Sequence, residues 1–304
     1  MLTATRRGER DPRDRPHPKG RNRPTPRSDA GLQQNRRVYL ERVSLIADRV
    51  SSDEYPFHLP AIRTLDITFS CDVTFFVGEN GTGKSTVIEA IAALCRLPVS
   101  GGSRNDLGAG HGPESNSPLA RALRPVFRKA PGDAYFLRSE FQGHFASLLD
   151  GRKADPDFMI SGHDPYGAYG GRSLHSRSHG EAFLAILQNR IRAGLLLFDE
   201  PESALSPQRQ LVLLAHMAQL TAAGGSQFII ATHSPILLTF PGARILSFDG
   251  PAVHEVSLDD TSHYQITRGI LDHPEHYWRH LRAPAAPTES RAPRKAKPRR
   301  RRRR

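Results

Sequence analysis

One eight-residue segment constrains the fold of this 304-residue chain more than any other. Residues Gly78 to Ser85 read G-E-N-G-T-G-K-S and fit the pattern G-x-x-x-x-G-K-[ST]. The apolar run Val73–Val77 precedes the segment, and Ser85–Leu94 has the composition of a helix. The sequence therefore predicts a buried strand, a tight glycine turn and a helix in direct succession, as in an α/β domain.

This glycine turn is chemically suited to binding phosphate groups. Its glycines let consecutive backbone N–H groups turn inward, and the following helix adds the positive end of its dipole. Lys84 supplies a positive charge to phosphate oxygens, and the Ser85 hydroxyl can ligate Mg²⁺. We predict that the following residues contact a bound nucleotide: Gly78, Glu79, Asn80, Gly81, Thr82, Gly83, Lys84, Ser85 and Thr86.

A second segment places two carboxylates at the end of an apolar run. Leu195–Phe198 is followed directly by Asp199 and Glu200. Two acids at the tip of a buried strand are costly unless a positive group meets them. In phosphoryl transfer, one acid holds Mg²⁺ and its neighbour orients or deprotonates the attacking water. We predict these roles for Asp199 and Glu200 respectively; the alternative is a strand that simply ends at an acidic turn before Pro201.

Apolar runs and helical patterns alternate along the chain, which predicts a mostly parallel sheet covered by helices. The predicted strands are 38–45, 62–69, 73–77, 134–137, 195–198, 228–231 and 245–248, and the predicted helices are 85–94, 181–191 and 207–221. Gly, Ser and Asn dominate residues 100–118, which we interpret as a mobile surface loop. One domain over residues 38–282 is expected.

The formal net charge of +12 resides at the two ends of the chain. Residues 1–37 hold 11 basic and 4 acidic side chains, and residues 283–304 hold 10 and 1, which leaves a net charge of −4 on residues 38–282. Both ends are rich in Pro and Arg, so we expect disordered tails. Nucleic acid is an expected partner only through these tails; a solvated tail without a partner is the alternative.

Several classes of protein are not expected. No apolar run approaches the 18 or more residues of a membrane span, and the N-terminus lacks the apolar stretch of a signal peptide. The only cysteines are Cys71 and Cys95, so no disulfide framework is expected. These features favour the cytoplasm.

With these motifs in order, the chain resembles ABC-class P-loop ATPases, the superfamily of transporter nucleotide-binding domains and of SMC, RecF-like and OLD-like ATPases. Asp199-Glu200-Pro201 followed by 203–206 is similar to the family's Walker B and D-loop, and the segment 231–235 around His233 is similar to its switch-histidine loop. The resemblance implies an ABC-type α/β fold with an antiparallel portion near the N-terminus. It also implies ATP and Mg²⁺ as cofactors, with His233, Glu200 and Lys84 as catalytic residues.

The segment at the position of the signature motif departs from the transporter form Leu-Ser-Gly-Gly-Gln. It reads Ser178-His179-Gly180-Glu181, and it most resembles small stand-alone bacterial ATPases of the same class. The resemblance implies that Ser178 and Gly180 complete the nucleotide site of a second subunit. A head-to-tail homodimer that sandwiches two ATP molecules is therefore expected.

Two smaller assignments stay open on the sequence alone. Glu140 or Gln142 could serve as the family's Q-loop residue, and either could instead lie at an ordinary solvated helix start. Tyr55 or Phe57 could stack on an adenine ring, although core packing is the alternative for both.

The sequence and the resemblance together predict an ATPase that converts ATP to ADP and phosphate. Two alternatives are an energising subunit of an ABC transporter and an ATP-gated module that binds DNA or a protein in DNA maintenance or defence.

Overall fold

The structure is a computed structural model, and it describes residues 38–50, 54–106, 117–160 and 162–282. Both charged ends predicted as disordered lie outside the described residues. The strands are β1 (Leu40–Leu45), β2 (Asp66–Thr68), β3 (Val73–Val77), β4 (Gly102–Ser103), β5 (Leu123–Phe127), β6 (Ala134–Arg138), β7 (Leu195–Asp199), β8 (Gln227–Ala231), β9 (Arg244–Ser247) and β10 (His254–Val256). The helices are α1 (Pro60–Arg63), α2 (Lys84–Leu94), α3 (Pro118–Ala122), α4 (Gln142–Ala154), α5 (Pro156–Ile160), α6 (His179–Asn189), α7 (Pro207–Ala223), α8 (Ser262–Asp272) and α9 (Pro274–Leu281).

The strands form two sheets. The larger has the order β10-β9-β3-β8-β7-β6-β4, in which β9, β3, β8, β7 and β6 run parallel and the two edge strands run antiparallel. The smaller is antiparallel, with the order β2-β1-β5. The fold is therefore α/β with a mostly parallel central sheet and an antiparallel portion that begins near the N-terminal end of the described residues, as predicted.

The central sheet is buried on both faces, which explains its continuous apolar strands. In β7, the side chains of Leu195 and Leu197 pack with α2 and the small sheet. Leu196 and Phe198 point to the opposite face and pack with α4, α6 and α7. Because β3, β8, β7, β6 and β9 are parallel, the residues after each of their carboxyl ends meet at one edge of the sheet.

The structure differs in part from two predictions about this part of the molecule. Residues 62–69 were expected to form one strand, but α1 includes Ile62 and only Asp66–Thr68 is extended. Pro60 occupies the first helical position, where proline favours a helix. The alternating apolar residues Leu65, Ile67 and Phe69 are typical of a strand, but the extended part begins only at Asp66. The predicted surface loop 100–118 begins with buried Ser100, Ser103 and Asp106 and contains edge strand β4; residues 107–116 lie outside the described residues.

The remaining predicted elements agree with the structure to within a few residues. Cys71 and Cys95 are both buried and unpaired, as expected of a chain without a disulfide framework. Among the described residues, every helix is too short or too polar to cross a bilayer.

Candidate functional site

The glycine turn joins the end of β3 to the start of α2. Gly78 has φ +139° and Gly83 has φ +103°, conformations that residues with a side chain rarely adopt. A Cβ on Gly78 would lie 2.9 Å from Oδ1 of Asp249, and one on Gly83 would lie 3.1 Å from Cδ1 of Ile62. Glycine at these two positions is therefore required by both backbone conformation and space.

Lys84 is folded back onto this turn. Its Nζ donates hydrogen bonds to the carbonyl oxygens of Gly78 (2.6 Å) and Glu79 (2.9 Å), and the residue is 4 % exposed. Burial lowers the pKa of Lys84, while the carboxylates of Glu200 and Asp249 oppose that shift. The ammonium group therefore lies beside the carbonyl oxygens of the turn and is largely removed from water. Phosphate oxygens bound at the turn would replace part of the water that burial removes.

Asp249 is a site residue that the sequence analysis missed. Its Oδ1 accepts a 2.7 Å hydrogen bond from the backbone N–H of Glu79, and so fixes the first peptide of the turn. Asp249 follows β9, a parallel strand next to β3. A carboxylate just after a predicted parallel strand was the available signal.

The Oγ of Ser85 donates a 2.9 Å hydrogen bond to Oδ1 of Asp199 at the end of β7. Asp199 is 5 % exposed, and burial raises its pKa to about 6, against the opposing influence of Arg138. The Nε of Arg138 lies 3.3 Å from the other carboxylate oxygen of Asp199. Arg138 also forms a 2.7 Å ion pair with Glu89 of α2, so one cation bridges the buried Asp199 and the partly buried Glu89.

The chemistry of this pair fits a magnesium ion. Mg²⁺ prefers oxygen ligands and is usually held by one or two protein groups together with phosphates and waters. Ser85 and Asp199 supply two such oxygens within hydrogen-bond distance of each other. No group of three or more His, Cys, Asp or Glu residues at metal-binding spacing occurs among the described residues, so a metal cage made only of protein side chains is not found there.

Glu200 adopts a left-handed backbone conformation with φ 47° and ψ 54°. A residue other than glycine adopts this conformation at a cost, so the surroundings must hold it. The carbonyl oxygen of Glu200 accepts hydrogen bonds from the hydroxyls of Ser139 (2.9 Å) and Ser203 (2.8 Å), and its N–H donates to the carbonyl oxygen of Ala231 (3.0 Å). With its backbone held in this way, the Oε1 of Glu200 lies 3.6 Å from Nε2 of His233.

Glu202, which the sequence analysis did not select, holds the loop that carries His233. Its carboxylate accepts hydrogen bonds from Thr232 Oγ1 (2.8 Å) and from the backbone N–H of His233 (2.6 Å). Burial raises the pKa of Glu202, while these hydrogen bonds favour its ionised form. The segment after β7 and the segment after β8 are therefore connected through one carboxylate.

The imidazole of His233 also contacts a residue far along the chain. Its Nδ1 lies 2.7 Å from Nε2 of His263, in the first turn of α8. Burial, the charge of Lys84 and the nearby His263 lower the pKa of His233, and Glu200 acts in the opposite direction. Nothing in the sequence indicated His263, because it lies outside every predicted element.

Part of this site borders a cavity of about 370 Å³ at the carboxyl edge of the sheet. Its lining includes Ser85, Arg138, Glu140, His179, Asp199 and Glu200. Glu140 thus faces the cavity, whereas Gln142 is buried in α4 and lines two smaller cavities instead. Of the two Q-loop candidates, Glu140 is the one that lies at this site.

The segment 178–181 forms the N-terminus of α6. Ser178 and Glu181 form a capping box: the Ser178 Oγ accepts a hydrogen bond from the Glu181 N–H (3.4 Å), and Oε2 of Glu181 accepts one from the Ser178 N–H (2.9 Å). Ser178 is exposed, and Gly180 is buried. A Cβ on Gly180 would lie 2.9 Å from the carbonyl oxygen of Ala204 and would collide with the guanidinium of Arg209.

The two aromatic candidates have different surroundings. Phe57 is 3 % exposed and packs in the core, which confirms core packing, one of the two alternatives predicted for it, over a base contact. Tyr55 is 60 % exposed, and its hydroxyl lies 2.6 Å from Oγ1 of Thr86 at the start of α2. Tyr55 therefore remains the candidate for a base contact.

Two family models match parts of the chain. The model described as "AAA domain, putative AbiEii toxin, Type IV TA system" matches residues 181–239, and the model described as "AAA domain" matches residues 57–127. The first range contains Asp199, Glu200 and His233, and the second contains the whole glycine turn. With the α/β fold and the phosphate-binding turn, these matches are consistent with an ATP-binding P-loop ATPase domain.

Similar solved structures include a putative metal-chelate type ABC transporter in an inward-facing conformation (16 % identity, 76 % of this chain, 88 % of that chain, TM-score 0.43). A second is the ADP conformation of an ATP-binding cassette of an ABC transporter (16 % identity, 80 % of this chain, 98 % of that chain, TM-score 0.43). A third is the SMC head domain from Thermotoga maritima (17 % identity, 72 % of this chain, 99 % of that chain, TM-score 0.38). At such TM-scores these similarities carry no functional argument. No curated protein matches the chain significantly.

Proposed function

We propose that this protein binds Mg-ATP and hydrolyses it to ADP and phosphate. One observation carries the proposal: Ser85, at the end of the glycine turn, lies 2.9 Å from Asp199, and both line one cavity with Glu200, whose carboxylate lies 3.6 Å from His233. The glycine turn follows β3, Asp199 and Glu200 lie at the end of β7, and His233 follows β8. The carboxyl edge of a parallel sheet is where α/β folds bind ligands.

In this proposal the glycine turn binds the β- and γ-phosphates through its N–H groups. Lys84 exchanges its two carbonyl partners for phosphate oxygens and takes up negative charge that develops on the γ-phosphoryl group. Mg²⁺, held by Ser85 and Asp199, would supply charge neutralisation at the β- and γ-oxygens. Glu200 orients and deprotonates the attacking water, and His233 contacts the same water or the γ-phosphate.

We further propose that two copies of the chain act together. Ser178 lies exposed at the N-terminus of α6, where the positive end of the helix dipole favours an anion. The γ-phosphate bound to a second subunit would meet this end of the helix. Glu181 caps Ser178 in the isolated chain, so the Ser178 hydroxyl would have to exchange that partner for a phosphate oxygen.

The test is phosphate release by the full chain, with the Lys84→Ala variant as its comparison. We expect hydrolysis by the unmodified protein with Mg²⁺, loss of hydrolysis on chelation with EDTA, and loss of ATP binding in Lys84→Ala. Mg²⁺-independent turnover, or an unchanged ATP affinity of Lys84→Ala, would contradict the proposal. Adding DNA to the same assay tests the ATP-gated DNA-binding alternative, which predicts stimulation.

A further inference from the structure

The pair formed by His233 and His263 joins the candidate site to α8. The two rings lie with their centroids 4.8 Å apart at an angle of 61°, and the Nδ1 of His233 lies 2.7 Å from the Nε2 of His263. Thr261 caps the helix by accepting a hydrogen bond at its Oγ1 from the Tyr264 N–H, which fixes the first turn that carries His263. His263 thus occupies a defined position beside the site.

His233 is held through its backbone N–H and its Nδ1, whereas its Nε2 has no hydrogen-bond partner among the described residues. Its N–H is bound by Glu202 and its Nδ1 by His263. Its Nε2 is buried and has no hydrogen-bond partner among the described residues, and the nearest acid is Glu200, whose Oε1 lies 3.6 Å away. The unpartnered nitrogen therefore faces the proposed position of the water and the γ-phosphate.

The contact between the two rings couples their protons. A hydrogen bond between two neutral imidazoles needs one N–H and one bare nitrogen. If His233 donated from Nδ1, its Nε2 would be bare and would direct a lone pair at the Glu200 carboxylate. If His263 donates from its Nε2, the proton of His233 lies on Nε2 and points toward Glu200. The second arrangement is electrostatically favoured, since it places N–H opposite a carboxylate.

We propose that His263 is a positioning residue that holds His233 in the tautomer protonated at Nε2. This inference rests on the proposed function, because the Nε2–H group would donate to the water, the γ-phosphate or Glu200. The charged and titratable groups around His233 are Glu79, Lys84, Glu200, Glu202 and His263. Of these, only His263 contacts Nδ1, so a proton on its Nε2 would keep Nδ1 of His233 bare, while Glu200 favours the proton on Nε2 of His233.

The test combines kinetics with ¹⁵N NMR of histidine-labelled full-length protein. The variants are His263→Ala, which removes the donor, and His263→Gln, whose amide can still donate. Thr267→Ala is the control, because Thr267 is exposed on the same helix. The His233 signals are assigned by their loss in His233→Gln. Because a protonated and a bare ring nitrogen have separate ¹⁵N shifts, the spectrum reports the tautomer directly.

In the unmodified protein and in Thr267→Ala we expect a protonated Nε2 and a bare Nδ1 on His233. In His263→Ala the two tautomers should exchange, and kcat should fall by about 10- to 100-fold, the range for losing a partner that orients a histidine. The KM for ATP should stay within about twofold, because Lys84 and Ser85 are untouched. His263→Gln should recover part of both the kcat and the tautomer signal.

The inference is overturned if His263→Ala keeps the His233 shifts of Thr267→Ala, or if the unmodified protein shows a proton on Nδ1. An equal loss of kcat in His263→Ala and His263→Gln with an unchanged spectrum would also overturn it. If the unmodified protein hydrolyses no ATP, the proposed function fails. The spectrum alone then decides whether His263 sets the tautomer.

Discussion

The Oγ of Ser85 and the Oδ1 of Asp199 lie 2.9 Å apart although 114 residues separate them in the chain. Ser85 is placed by the first turn of α2, and Asp199 by the end of β7. Because α2 packs against β7 and β8, the contact joins the glycine turn to the acidic strand end. The oxygen pair therefore forms when the core folds.

The buried Asp199 should make the stability of the free protein depend on pH. Burial raises its pKa to about 6 in the folded state, against an ordinary value of 3.8. The folded state thus binds this proton more tightly than the unfolded state, so the resulting stabilisation is present below about pH 4 and is lost as pH rises through about 6. Asp199→Asn cannot show this loss.

Denaturant unfolding of both proteins from pH 4 to pH 8, without Mg²⁺ or nucleotide, measures the difference. Relative to Asp199→Asn, the free energy of unfolding of the unmodified protein should fall by up to about 3 kcal/mol, from about two pKa units at about 1.4 kcal/mol each. The fall should lie mostly below pH 7. Asp157→Asn, an exposed change, is the control. A pH-independent difference would contradict a raised pKa at Asp199.

Gly180→Ala should impair turnover through packing within the same chain. The added Cβ would lie 2.9 Å from the Ala204 carbonyl oxygen and would collide with the Arg209 guanidinium. Arg209 can move, but the backbone at Ala204 can yield only by shifting the segment that follows Glu200. We expect ATP binding to be retained and hydrolysis to fall.

Gly151→Ala is the matched control, because Gly151 lies in α4 and nothing would lie within 4 Å of its Cβ. That variant should be more stable by about 0.5–1 kcal/mol, the usual gain from replacing glycine in a helix. If Gly180→Ala hydrolysed ATP at the rate of the unmodified protein, the close approach of residue 180 to the Ala204 carbonyl oxygen would have no effect on hydrolysis.

The proposed two-subunit site predicts complementation between two inactive variants. Ser178→Arg should leave ATP binding at Lys84 of its own subunit intact and obstruct the site of the facing subunit. Lys84→Ala lacks binding but keeps an intact α6 N-terminus. A mixed dimer has one composite site with both parts intact, so mixing should restore part of the ATPase activity if a single site suffices. Analytical ultracentrifugation with ATP tests the dimer independently, and a monomer at saturating ATP would rule out composite sites.

The sequence was sufficient to predict the parts of the site that follow an apolar run directly. The turn after β3, the acids after β7 and His233 after β8 all lie at the end of a strand whose composition identified it. Parallel strand ends meet at one edge, so their convergence was predictable as well. These positions could be predicted because the apolar composition of each strand agrees with its place in the buried central sheet.

The residues that the sequence analysis missed act through contacts between distant segments. In the sequence Arg138 is only the last residue of a strand. The pairing of β6 with β7 places it beside Asp199. Glu202 belongs to a four-residue 3₁₀ turn, and only the structure shows that its carboxylate reaches the loop of His233. His263 depends on where α8 packs, which no periodicity in residues 262–272 specifies.

The central claim is that Glu200 activates the attacking water at a site that binds Mg-ATP through Lys84, Ser85 and Asp199. Glu200→Gln keeps the size of the side chain and removes the base. The most direct measurement is ATP affinity and single-turnover hydrolysis of this variant beside the unmodified protein, both with Mg²⁺. We predict unchanged or tighter ATP binding and hydrolysis slower by at least roughly 100-fold, the low end of general-base effects. Hydrolysis at the rate of the unmodified protein would contradict the account.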